Sequence, residues 1–93
     1  MNYLIEGTTV HYVMPNGQFR PAIIVKVWNN NGLCNLQVFS DGSNDLPYTA
    51  QEKEQFSNYG LVAEEVRHGH FWKTSISYSP VKVEPNTWHY IGE

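Results

Sequence analysis

The sequence predicts a mainly all-β fold, a small barrel of four to five antiparallel strands with a short helical excursion at about 49–58. Three observations lead there. Short runs of β-branched and aromatic residues recur along the chain. Tight turns rich in Gly, Asn and Pro separate them. A chain of 93 residues can bury one modest core, so residues 1–93 read as a single β-barrel-like domain.

The first strand is Val10–Met14, "VHYVM", and Pro15-Asn16-Gly17 turns the chain, since Pro presets φ and Asn-Gly tolerates positive φ. Ala22–Trp28 follows. Ile23, Val25 and Val27 alternate with Ala22, Ile24, Lys26 and Trp28, and both faces are largely apolar, as in a central strand. Asn29–Gly32, "NNNG", reads as a hairpin turn. Leu33–Ser40 returns with Cys34, Leu36 and Val38 on one face and Asn35, Gln37 and Phe39 on the other. "FSDGSNDLP", Phe39–Pro47, then places Asp41, Asn44 and Asp45 close together.

Residues 46–69 depart from the strand pattern. Thr49 is a capping-type residue ahead of "AQEKEQF", which predicts one or two helical turns. The sheet resumes at His70–Tyr78, where period two puts Trp72, Thr74, Ile76 and Tyr78 on one face. Pro85-Asn86 makes a turn and Trp88–Ile91 a short last strand. A barrel this small with such tight turns is SH3-like.

Composition narrows the function. Charged residues make up 16% and aromatics 14% of the chain, at a formal net charge of −3. The six basic residues, Arg20, Lys26, Lys53, Arg67, Lys73 and Lys82, are scattered. Long nucleic acids are therefore not expected as partners. The apolar runs are too short to span a membrane, and the start lacks the charged and apolar regions of a leader, so a cytoplasmic protein is expected. Cys34, the single cysteine, reads as a buried small hydrophobe.

No ordered catalytic signature appears, so no catalytic residue is assigned. The Asp41–Asp45 turn lacks Gly where a calcium loop needs it, Leu46 standing there instead. It reads as an Asx-type turn whose Asp41, Asn44 and Asp45 could also offer acceptors to a ligand. His68 and His70, two apart, would share a strand face, which is weak support for a metal, and neither metal nor cofactor is expected. Tyr12, Trp28, Phe39, Trp72, Tyr78, Trp88 and Tyr90 all fall on expected strands, and part of this set could converge into a stacking surface. Thr74, Ser75, Ser77 and Asn35 could add neutral hydrogen bonds. The candidate ligand-binding residues are Tyr12, Arg20, Asp41, Asn44, Asp45, Trp72, Thr74, Tyr78, Trp88 and His89.

Two resemblances add context. "GTTVHYVMPNGQFRPAIIVKV", Gly7–Val27, resembles the opening of the MazF/PemK ribonuclease toxins, which are SH3-like barrels with a "G…V…G…RPA" pattern. Arg20 matches an Arg that works on RNA phosphate in that family, whereas its assisting Ser/Thr has no recognisable counterpart here. "HYVMPNGQFRPAIIVKVW", "CNLQVFSDGSND" and "TWHY" together resemble a family of small proteins from tailed-phage and prophage genomes, with residues 46–69 as the variable part. That resemblance implies a phage setting and a compact β fold. In that setting the expectation is a small non-catalytic binding protein, a homo-oligomer, that sequesters a nucleotide-like host immune signal or blocks a host defence protein. A MazF-like RNA-acting enzyme and a virion structural or assembly protein stand as alternatives.

Overall fold

In the computed structural model, which describes residues 4–92, five strands close into a barrel in chain order. They are β1 (Thr9–Val13), β2 (Phe19–Val27), β3 (Cys34–Phe39), β4 (His70–Tyr78) and β5 (Thr87–Tyr90). Two short helices, α1 (Ala50–Asn58) and α2 (Ala63–Arg67), stand between β3 and β4. The small barrel and the helical excursion are those that the strand and cap signals predict. One pairing differs. β1–β2, β2–β3, β3–β4 and β1–β5 are antiparallel, whereas β4–β5 is parallel. The reason is parity: a ring with an odd number of strands cannot alternate direction all the way round.

The core follows period two where the strands are regular. Val10 and Tyr12 of β1, Ala22 and Ile24 of β2, and Cys34, Leu36 and Val38 of β3 are fully buried. Trp88 fills the centre from β5, in edge contact with Tyr78 and Tyr90. Its indole N–H donates to the Gly32 carbonyl at 2.8 Å. Gly32 has φ +95, and a Cβ there would lie 2.5 Å from the Tyr78 Cβ. Only glycine lets the β2–β3 turn come this close to β4.

Two β-bulges break the simple face assignment. In β2 the register shifts between Ile24 and Lys26. Val25 is exposed, Lys26 lies opposite Asn35, and Val27 packs against the core instead of sharing an outer face with Val25. In β4, Lys73 pairs with Leu36 and Ile76 with Cys34, so one extra residue is accommodated at Thr74–Ser75. Ser75 takes a positive φ of 56°. The face shared by Trp72, Thr74, Ile76 and Tyr78 in a regular strand is therefore split. Trp72 and Thr74 point out, while Ile76 is buried.

Thr49 caps α1 as its residue type predicts. Its hydroxyl accepts from the Glu52 N–H at 3.1 Å, and Glu52 accepts from the Thr49 N–H at 2.9 Å, completing a capping box. α2 is not foreseen by the sequence reading. It supplies buried Val66, and α1 and the loop beyond it supply Phe56 and Leu61, all within the same core cluster as the barrel. Lys73 of β4 donates to the Tyr59 carbonyl at 2.6 Å, tying the inter-helix loop to the sheet. Burial lowers its pKa.

Candidate functional site

The acidic turn is a self-contained structural unit. Asp45 is only 2% exposed. Its carboxylate accepts a two-pronged bond from Arg20, Nε at 2.6 Å and Nη2 at 2.7 Å, and also accepts from the Asp41 N–H at 2.7 Å. Asp41 accepts from the N–H groups of Ser43 and Asn44 and from the Asn44 side-chain amide. These bonds hold the Asp41 carboxyl down to about 2 from an ordinary 3.8. Gly42 is needed for close approach and not for positive φ, because a Cβ there would meet the Arg67 carbonyl oxygen at 2.5 Å. Arg20, Asp41, Asn44 and Asp45 thus come together, with every one of them engaged inside the turn.

Tyr12, Trp88 and His89 are buried, each no more than 1% exposed. The Tyr12 hydroxyl donates to Asn86 Oδ1 at 2.6 Å, and burial raises its pKa. His89 pairs across the sheet with His11, and Phe19 packs on both rings. Tyr78 is half-buried against Trp88 and Tyr90. His68 ends α2, away from the strand face that its spacing with His70 predicts. Among the described residues no group of three or more His, Cys, Asp or Glu could hold a metal. Cys34 is fully buried, and burial pushes its thiol pKa up, which suppresses the nucleophilic thiolate.

A different part of the aromatic set does reach the surface. Trp28, Phe39 and Trp72 are 52%, 42% and 56% exposed. They share the outward face of β2, β3 and β4. Gln37 pairs with both Ile23 and Trp72, so these three form one cross-sheet row, and Phe39 pairs with His70 in the next. At the other end of the face lies Asn35, opposite Lys26. Asn35 Oδ1 accepts from Trp28 Nε1 at 2.8 Å, from Thr74 Oγ1 at 3.0 Å and from the Ser75 N–H at 2.9 Å. The Lys26 ammonium stands 5.2 Å from the centre of the Trp28 ring. One buried amide therefore fixes an exposed indole, a threonine and the β4 bulge.

The outward positions of β2–β4 on this face carry no carboxylate, although the chain as a whole is acidic. Glu6, nearby at the β2 margin, is engaged by the Val27 N–H at 2.9 Å. What the face can do chemically is stack a planar group on indole, donate neutral hydrogen bonds, and tolerate negative charge beside Lys26.

Comparison with protein-family models, with curated proteins and with solved structures finds no match to this chain. The geometry of the chain itself therefore carries the functional reading. No helix among the described residues is long and apolar enough to cross a membrane. Of the candidate residues, Trp72 and Thr74 lie on the aromatic face; Tyr12, Trp88 and His89 are buried, Tyr78 packs against the core, and Arg20 of β2 is bound to the Asp41–Asp45 turn. Asn35 and Trp28 are central to the face. The sequence offers Trp28 within the aromatic set and Asn35 as a neutral hydrogen-bonding residue, but neither is among the candidate ligand-binding residues.

Proposed function

We propose that this protein works by binding, and that it holds a small nucleotide-like ligand against the outward face of β2, β3 and β4. The observation that carries this reading is the exposure of Trp28, Phe39 and Trp72 on one face, with Trp28 locked in place by Asn35. Large aromatic side chains left in water on a small domain mark contact surfaces. Bases stack on such rings whatever their identity. A face free of carboxylates, with Lys26 at one end, does not repel a phosphate. Arg20, the residue that would serve an RNA-acting enzyme, is held by buried Asp45, which favours binding over that alternative. In the phage setting implied by the resemblance, the ligand is a nucleotide signal of host immunity, kept out of circulation.

Tryptophan fluorescence and thermal melts against mononucleotides and cyclic dinucleotides test the reading. Binding is expected to quench the exposed indoles saturably and raise Tm by mass action. Trp72→Ser is expected to weaken binding about tenfold or more, the effect of losing one stacking platform. A panel in which no member quenches or stabilises the wild-type protein would overturn the proposal.

A further inference from the structure

We infer that Asn35 is the specificity-determining hydrogen-bond donor of this face, and that it selects a ligand whose base presents a carbonyl oxygen. The inference rests on the binding reading above and names the chemistry that the face recognises. The orientation of the amide is fixed by its partners. Trp28 Nε1 and the Ser75 backbone nitrogen can only donate, and both point at the same Asn35 atom, so that atom is the oxygen. Thr74 Oγ1 adds a third donor to it. The nitrogen must then face the other way.

Asn35 is only 8% exposed. Among the described residues its Nδ2 donates to no protein group, yet it is not sealed from solvent. The side chain cannot rotate away without breaking three bonds. The result is an N–H donor pair held in one orientation, on an amide whose oxygen is bonded to the Trp28 indole and to Thr74, two residues along β4 from Trp72. A flat ring laid on this face would cover that donor. A ring with a carbonyl there satisfies it, whereas a ring without one leaves it buried and unpaired, which is the stronger form of discrimination. A phosphate oxygen would be an acceptor of the same kind. The base is favoured because the amide shares its face with the exposed Trp28 and Trp72 rings, while the cation that would steer phosphate, Lys26, is drawn over the Trp28 ring.

The test uses the wild-type protein with two ligands, the dinucleotide pTpT and its apolar isostere in which difluorotoluene replaces thymine. Both keep the phosphates and the stacking area, and only the first has carbonyls. Equilibrium titration followed by tryptophan fluorescence is expected to show pTpT binding about tenfold or more tightly than the isostere. A second arm uses Asn35→Asp, which keeps an acceptor for Trp28, Thr74 and Ser75 but replaces the outward donor. The added charge is expected to weaken both ligands, and loss of the donor to remove the preference, so that the two affinities fall within about twofold of each other. Affinities for the two ligands within twofold of each other in the wild type would overturn the inference and leave the binding reading standing. The same holds if Asn35→Asp keeps the wild-type preference. A wild-type protein that binds no nucleotide of any kind would overturn both.

Discussion

Asp45 shows how one side chain can fix the ends of two distant segments. It sits 2% exposed between Arg20 at the start of β2 and the Asp41 N–H of the following turn. Removing it leaves a partly buried guanidinium and a backbone donor without their acceptor. Asp45→Ala is therefore expected to cost roughly 2–4 kcal/mol, read as a lower urea midpoint with unchanged slope. Asp41 gives a pH signature. Its carboxyl is held low by the Ser43 N–H and then by the Asn44 side chain and backbone. A carboxylate depressed in the folded state adds stability that is complete above the ordinary value of 3.8 and disappears as pH falls toward about 2. Asp41→Asn should accordingly be less stable than wild type at neutral pH, with the difference closing across that acid window in urea melts. An unchanging gap would mean that Asp41 titrates no differently when folded. The Asp and Asn content of this turn was legible as turn chemistry. That Arg20 is the partner of Asp45 depends on where β2 and the turn meet in space, which no local pattern records.

At the scale of elements, the bulges decide which residues face outward. β4 carries an extra residue opposite β3, and Ser75 absorbs it at φ 56°. That conformation suits Gly and resists a β-branched side chain. Ser75→Gly is expected to be neutral or to stabilise by about 0.5 kcal/mol, and Ser75→Val to destabilise by about 2 kcal/mol. The Val variant should also weaken ligand binding, since the Ser75 N–H is one of the bonds that orient Asn35. Binding that survives unchanged would separate the bulge from the aromatic face. Strict alternation cannot locate a bulge, because one inserted residue leaves each half of the strand looking regular. This is why Trp72 and Ile76 read as neighbours on one face and stand on opposite ones. The α1 cap, by contrast, was legible, because Thr49 and Glu52 are three residues apart and interact with their own backbone.

Across the whole molecule, the excursion between β3 and β4 is part of the core. Phe56, Leu61 and Val66 are buried in the same cluster as Trp88 and Leu36. β4 and β5 pair at only two positions, and the Ser79 N–H bond to the Trp88 carbonyl and the Tyr78–Trp88 ring contact add to the closure there. Helices and barrel should then unfold as one unit, with tryptophan fluorescence and far-UV circular dichroism giving coincident urea transitions. Helix loss at lower urea than the fluorescence change would show the excursion to be separately stable. By itself the sequence determined a barrel of four to five strands, their turns, the α1 cap and the buried stripe of β3. Each of these is set by interactions within a few residues, and period two and turn chemistry record them directly. The tertiary structure alone decided the parallel β4–β5 pair, the place of α2 in the core, the split of the aromatic residues between interior and surface, and the orientation of the Asn35 amide. These depend on groups far apart in the chain meeting at one point. Trp28, Asn35 and Ser75 are noted separately in the sequence, and only the pairing of β2, β3 and β4 makes them one hydrogen-bonded cluster.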